Sequence, residues 1–442
     1  MSETPTPESN VPLYGPVPAD RTASGRLAVP GSKSLTQRYF ALALVARRRL
    51  TIRRPLDSED IHHFLGALRS AGFRVEWDPS GDVHLDPGPA PVGDGIIDVD
   101  CGAGGTMLRF LTAALTVVPG RYRLDGIPRL RERTVEPLVR ALRQLEADLR
   151  GIDHDGFAPL SIEGRSLRGG RCRLDAGASS QFLSALLIAG IAAPEPIEIE
   201  IEALTSEPYV DLTLDAIAEL GGRVTRDDSG PSPLFRVEPG LTDGLDDVRV
   251  EADFSSVAYP AAAAALTRGE VFIESVSPDS RQGDRAFVDL LAAMGAQTTW
   301  RDGGLAVVGG PLRAVTADLS ATPDQVPTLA ALAPFADGVT RIENVPHLRI
   351  KESDRLAAMA SELRRVGAEV EELDDGLVIP GVWAKDAPPT TPVEVDTWND
   401  HRIGMAMALV GLRRPGVVLR HPAVVDKSYP NFWRDLEHLI RT

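Results

Sequence analysis

Cysteine is almost absent from this 442-residue chain, which has only Cys101 and Cys172. The pair has no metal-ligand spacing and makes no disulfide framework, so a thiolate metal site and a disulfide-stapled fold are both excluded. Free cysteines of this kind pack as small hydrophobes. Long charge-free apolar runs are also missing, which excludes a membrane-spanning helix. The first residues lack the basic-then-apolar pattern of a secretion signal, so a cytoplasmic location with no membrane partner is expected. Positive charge is not in excess either. With 47 Lys+Arg against 63 Asp+Glu the net charge is −16, the wrong sign for a nucleic-acid-binding surface.

What is present is repetition. Six short polar loops each open an Ala/Leu-rich apolar run: GSKSLTQR from Gly31, CGAGGTMLR from Cys101, DAGASSQF from Asp175, DFSSVAY from Asp253, SATPDQVP from Ser320 and DTWNDHR from Asp396. They return at a period of roughly 70 residues, the mark of an internal structural repeat. Each loop aims a helix N-terminus, with its unpaired N–H groups and positive dipole end, toward a common target. Several such ends around one cleft are suited to holding anions.

The segments after each loop repeat as well. Strand-like runs such as YRLDGIP, EIEIEAL and TRIENVP lead into a second helix, whose apolar residues recur at helical spacing, as in Leu356, Met359, Leu363 and Val366. The first five of these helices enter hairpins with Asp/Gly turn chemistry, for example EVEELDDGLVIPG. The sixth, NFWRDLEHLI, runs to the end of the sequence, and the N-terminal segment GPVPADRTASGRLAVPG is expected to complete its unit. The fold class is therefore α/β (α+β), built from six βαβαββ units, three to a domain. Residues 32–250 form one lobe. Residues 13–31 together with 251–442 form the other, and the chain crosses near Gly31 and near Val250–Ala252. Residues 1–12, rich in Pro, Ser, Thr and Glu, read as a disordered tail.

Cations gather in the loops that face the cleft: Lys33, Arg38, Arg109, Arg129, Arg131, Arg133, Arg349, Lys351, Arg355, Arg402 and Lys427. A cationic focus inside an acidic envelope suits a small, highly anionic metabolite rather than a polymer. Within this set Arg131 and Arg133 also admit a plain surface-charge reading, as Ser34 admits that of a cap for the first helix.

Four motifs are specific enough to place the chain beside a known family: PGSKSLTQR (Pro30–Arg38), SSQF (Ser179–Phe182), LRIKESDRL (Leu348–Leu356) and NDHRIGMAMAL (Asn399–Leu409). From about Arg26 onward the chain resembles the EPSP synthases, members of the enolpyruvyl transferase family. The resemblance implies a two-domain inverse α/β barrel and transfer of the enolpyruvyl group of phosphoenolpyruvate to the 5-hydroxyl of shikimate 3-phosphate. The reaction runs by addition and elimination through a tetrahedral intermediate. It implies no metal and no organic cofactor, a place in aromatic amino acid and chorismate biosynthesis, and competition by glyphosate. The two-lobed build is expected to be self-sufficient as a monomer.

Roles carried over from the family fall on matching positions. Lys33 touches both substrates and helps proton transfer. Asp324 accepts the 5-hydroxyl proton, Glu352 handles the C3 proton, and Lys427 stabilises the leaving phosphate. Shikimate 3-phosphate is to be held by Lys33, Ser34, Arg38, Ser179, Ser180, Gln181, Ser206, Tyr209, Asp324, His347 and Lys351. Phosphoenolpyruvate is to be held by Lys33, Gly105, Arg129, Gln181, Arg355, Arg402 and Lys427. Glu352 and Arg355, three apart, are expected on one helix face. His401 reads as structural. Ala103, Phe110, Gln37, Glu207 and His347 depart from common family residues. A transferase acting on UDP-N-acetylglucosamine would open with Lys-Asn rather than Lys33-Ser34 and carry a Cys within IPRLRERTVEP, where none occurs. A non-catalytic anion-binding relative would not require the carboxylate pair Asp324 and Glu352.

Overall fold

The repeat in sequence becomes a repeat of small sheets, each closed by a parallel crossover and a hairpin. The structure, a computed structural model, describes residues 13–19, 21–89, 95–165 and 167–441. The segment 1–12, expected to be a tail, lies outside the described residues. Among the described residues, five of the six sheets have four strands in one recurring order, a parallel pair followed by two antiparallel strands. In one example Ile96–Asp100 runs parallel to Gly120–Asp125, which pairs antiparallel with Leu160–Gly164, itself antiparallel to Asp148–Gly151. Side chains alternate along these strands: Leu160 and Ile162 are buried while Ser161 and Glu163 are partly exposed, the period of two that a half-buried sheet imposes.

Six inner helices follow the polar loops: α1 (Lys33–Ala46), α2 (Gly105–Val117), α3 (Gln181–Gly190), α4 (Phe254–Thr267), α5 (Val326–Leu332) and α6 (His401–Gly411). Helices α1, α2 and α3 pack on one another, as do α4, α5 and α6. Each is buried nearly all round, which is why its sequence is apolar on every face. Burying each large aliphatic side chain contributes about 1.5–3 kcal/mol. The outer helices keep one polar face; in Arg355–Arg365, Leu356, Met359 and Leu363 are buried.

Two separate apolar cores result. One is drawn from residues between Leu35 and Val250, the other from Val17–Val29 and Ala252–Ile440. The chain passes between them where Gly31 and Ala252 form an antiparallel bridge. There the Ser32 N–H donates to the Glu251 carbonyl (2.8 Å) and the Asp253 N–H to Pro30 (2.9 Å). Gly31 is obligatory at this point, because a Cβ would lie 2.2 Å from the Arg54 carbonyl oxygen.

The N-terminal segment does not complete the sixth unit in the manner expected. Among the described residues only Leu13–Tyr14 pairs as a strand in that sheet, antiparallel to Val417–Arg420, and the Val17 N–H adds a single bond to the Val417 carbonyl (2.9 Å). Gly25–Ala28 instead runs parallel to Glu270–Glu274 in the fourth unit, and Asp247–Arg249 runs parallel to Leu50–Arg53 in the first. The reason is that both crossings fall immediately before an inner helix. The strand leading into such a helix stays behind in the lobe the chain is leaving, so the lobes exchange their opening strands.

Candidate active site

The N-termini of the inner helices converge on a cavity between the two cores. It is lined by Lys33, Ser34, Ser179, Ser180, Gln181, Ser206 and Tyr209 from one side, and by Asp324, His347, Lys351, Glu352, Arg355 and Arg402 from the other. Local capping aims these helices. Ser32, not Ser34, caps α1, accepting from the Leu35 N–H, so Ser34 is free to face the cavity. Asp253 and Asp400 cap α4 and α6 in the same way. Asp324 follows a different course: it sits in the turn Pro323–Gln325 and its carboxylate reaches across to arginines.

Arg355 is the centre of this network. Its guanidinium, 2 % exposed, donates to Asp324 (2.8 Å), Glu352 (2.9 Å) and Asp400 (2.8 Å). Arg402 reaches the second oxygen of Asp324 at 2.6 Å. Glu352 also receives Arg133 at 3.4 Å and Lys427 at 3.3 Å. Helix geometry does not bring Glu352 and Arg355 together as expected, because the helix starts only at Arg355, with Asp354 as its cap. Three consecutive bends at Lys351–Ser353 instead bring the carboxylate back onto its own arginine.

These contacts set the charge states. Burial pushes the Glu352 carboxyl up, but Lys427, Arg133 and Arg355 outweigh it and hold it well below the ordinary carboxylate range. Burial is likewise overcome at Asp324 by Arg402, Arg355 and Lys351. Burial brings Lys351 down to about 8, with Arg109 and Arg355 adding to the fall against Asp324. His347 is brought down to about 4 by burial and by Lys351. Buried His401 is pushed far below its ordinary value, and Lys33 and Arg402 add to the fall. Both histidines therefore stand neutral at pH 7 among cations.

Four of the expected residues do not line the cavity. Arg38 is buried and donates to Thr213 (2.8 Å) and to the carbonyls of Ser34 (2.8 Å) and Tyr209 (2.6 Å), with its guanidinium over the Phe110 ring. It ties two cavity-lining segments together. Arg129 donates to the backbone carbonyls of Glu352 (3.2 Å) and Lys351 (3.1 Å) and to Glu132. Lys427 stands at the rim, bridging the Ala103 carbonyl (2.9 Å) and Glu352. Gly105 supplies space: a Cβ there would lie 2.5 Å from the Arg133 guanidinium. Glu207 points away to an ion pair with Arg226.

Arg133, read from sequence as a surface charge, is 6 % exposed and lines the cavity. Arg131 does pair with Asp125 at the surface. Its inward course follows the one-turn helix Pro128–Arg131 and the space that the bare Gly105 leaves for its guanidinium. Sequence reasoning also gave no role to Asp253, Ser255, Asp284 and Asp400, which order the walls of the site.

Known proteins place this geometry. A family model described as EPSP synthase (3-phosphoshikimate 1-carboxyvinyltransferase) matches residues 18–436. A 3-phosphoshikimate 1-carboxyvinyltransferase of Syntrophobacter fumaroxidans is 43% identical over 420 residues, covering 94% of this chain and 96% of the relative. One from Shewanella amazonensis is 39% identical over 423 residues, covering 95% and 97%. Among solved structures, EPSP synthase from Acinetobacter baumannii superposes with a TM-score of 0.77 at 26% identity, covering 96% of this chain and 98% of that one. The enolpyruvyl transferase NikO of Streptomyces tendae shares the fold, with a TM-score of 0.75 at 20% identity and 96% coverage of both chains. With a match running through both cores and every wall of the cavity, the chain belongs to the EPSP synthase family.

Proposed function

We propose that this cavity transfers the enolpyruvyl group of phosphoenolpyruvate to the 5-hydroxyl of shikimate 3-phosphate and releases inorganic phosphate. The observation that carries the reading is a set of buried cations from both lobes, Arg133, Arg355, Arg402 and Lys427, closed on the two carboxylates Asp324 and Glu352. Those carboxylates stand where substrate anions would stand. Two phosphates and two carboxylates arriving together displace them, and the cations then neutralise the ligand charge in a site shielded from water.

The displacement prepares the acid–base groups. Released from Arg355 and Arg402, Asp324 turns to the 5-hydroxyl and accepts its proton as the oxygen attacks C2. Glu352, no longer clamped by Arg133 and Lys427, regains a carboxyl able to deliver a proton to C3. After phosphate leaves it takes a C3 proton back. The group that is a bound anion in the free chain thus becomes a competent acid only with both substrates in place. Lys33 lies beside both ligands, 3.3 Å from Asp60 in the free chain, and Lys427 stabilises the departing phosphate.

Lys351, His347, Ser179, Ser180 and Ser206 take the 3-phosphate end, and Ser34, Gln181 and Tyr209 the ring. Arg133 takes the phosphoenolpyruvate phosphate in place of Arg129, with Gly105 beneath it. Arg38 and Arg129 order the segments on either side. The two cores support a division into lobes 32–250 and 13–31 with 251–442, hinged at the Gly31–Ala252 bridge. The same reading makes the chain a monomeric cytoplasmic enzyme and a target of glyphosate. The test is phosphate release from the purified chain with EDTA present. Turnover that needs both substrates supports the assignment. Tight binding of shikimate 3-phosphate without turnover would make the chain an anion-binding relative.

A further inference from the structure

Asp284 lies behind the cavity rather than in it. Its carboxylate oxygen Oδ2 receives two hydroxyl donors, Tyr209 Oη at 3.3 Å and Ser255 Oγ in a short contact. The two donors come from opposite lobes and both line the cavity. Asp284 is 4 % exposed, and its other oxygen, Oδ1, is buried without a hydrogen-bond partner.

The turn that carries Asp284 is fixed from both sides. Gln282 accepts from the Phe254 N–H (3.1 Å) and donates to the Ala252 carbonyl (2.7 Å), pinning the second crossing. At Gly283 a Cβ would lie 2.8 Å from Pro208 of the other lobe. Asp284 therefore has little freedom to look elsewhere.

A hydroxyl has one hydrogen and two lone pairs. Once Tyr209 and Ser255 give their hydrogens to Asp284, only lone pairs remain for the cavity. We infer that Asp284 is a specificity-determining positioning residue: by taking both O–H groups it turns this wall into an acceptor surface that binds the ring hydroxyls of the acceptor substrate and repels its anionic groups. Burial and nearby Asp324 push the Asp284 carboxyl up to about 6 against the pull of Arg402. The inference rests on the enolpyruvyl-transfer reading above, since that reaction supplies a hydroxyl-bearing ring to read.

The test is steady-state phosphate release with shikimate 3-phosphate and phosphoenolpyruvate for the wild type, Asp284→Asn, Tyr209→Phe with Ser255→Ala, and all three changes together. Asn replaces the charged acceptor by a neutral amide, which holds the two hydroxyls less strongly and lets them point inward. Asp284→Asn is expected to raise KM for shikimate 3-phosphate about tenfold or more, the scale of lost hydrogen bonds to a charged group. KM for phosphoenolpyruvate should stay within about twofold, and the effect should vanish in the Tyr209→Phe/Ser255→Ala background. An unchanged KM for shikimate 3-phosphate, an equal rise in both KM values, or full additivity would overturn it. Should Asp284→Asn fail to fold, Asp284→Ser decides by the same comparison: a rise in KM confined to shikimate 3-phosphate that vanishes in the Tyr209→Phe/Ser255→Ala background upholds the inference, and an unchanged KM refutes it. A wild type without turnover would fail the functional reading instead.

Discussion

Replacing Gly105 by alanine tests how the phosphoenolpyruvate side of the cavity is built. The new methyl would lie 2.5 Å from Cζ and Nη1 of Arg133 and 2.6 Å from Nη2, where ordinary contact begins at 3.4 Å. The guanidinium must withdraw by about 0.9 Å, the difference between 3.4 and 2.5 Å. Arg133 is held between this glycine and Glu352, at 3.4 Å, so retreat changes its aim as well as its distance. A misplacement of about 1 Å in such a site can cost about 100-fold, and one charge-assisted hydrogen bond is worth roughly 1.5–3 kcal/mol, or about 10- to 100-fold. KM for phosphoenolpyruvate should therefore rise about 10- to 100-fold. KM for shikimate 3-phosphate should stay within about twofold, because Ser179, Ser180 and Lys351 are untouched. Overpacking of this kind costs about 1–3 kcal/mol, so the constants are read on variant protein shown by a thermal melt to be folded. Initial rates of phosphate release measure both constants. An unchanged KM for phosphoenolpyruvate in a folded variant would refute the placement of Arg133.

Three further outcomes follow from the same geometry. Arg133→Leu should weaken phosphoenolpyruvate far more than Arg129→Leu does, because Arg129 holds backbone carbonyls while Arg133 faces the cavity; comparing the two KM values decides. Glu352→Gln should lower kcat about 100- to 10,000-fold, the range of a general acid–base group, whereas a variant keeping most of its kcat would remove Glu352 from proton transfer. His347, whose value falls from 6.5 to about 4 on folding, is protonated first in the unfolded chain. The stability it contributes is present above pH 6.5 and is lost as pH falls toward 4. Thermal melts of wild type and His347→Asn across that window should diverge, with the variant flatter. The depressed carboxylates Asp324 and Glu352 act only below their unfolded values near pH 4, outside most of it.

The repeat made much of the fold legible, because six similar loops and hairpins impose similar units. The exchanged strands were not, since nothing local in GRLA or DVR says which lobe receives them; only the closure of a distant sheet decides. At the site, residues inside dense motifs, such as Ser179–Gln181 and Lys351–Arg355, were visible as types at a spacing. Arg133 was hidden among surface arginines, because its inward course depends on a one-turn helix and on empty space above Gly105. Asp284 sits in the ordinary charged stretch PDSRQGDR, and its meaning comes from a tyrosine 75 positions away. The expected helix-face pairing of Glu352 with Arg355 reached the right contact through the wrong geometry, because spacing alone does not say where a helix begins.

The most direct test of the account is a crystal structure of the chain with shikimate 3-phosphate and an unreactive phosphoenolpyruvate analogue. Ligand anions are expected within hydrogen-bond distance of Lys33, Arg133, Lys351, Arg355, Arg402 and Lys427, with Asp324 and Glu352 turned off their arginines toward the ring hydroxyl and the analogue's carbon. Ligands bound elsewhere, or a Glu352 still clamped by Arg133 and Lys427, would contradict it.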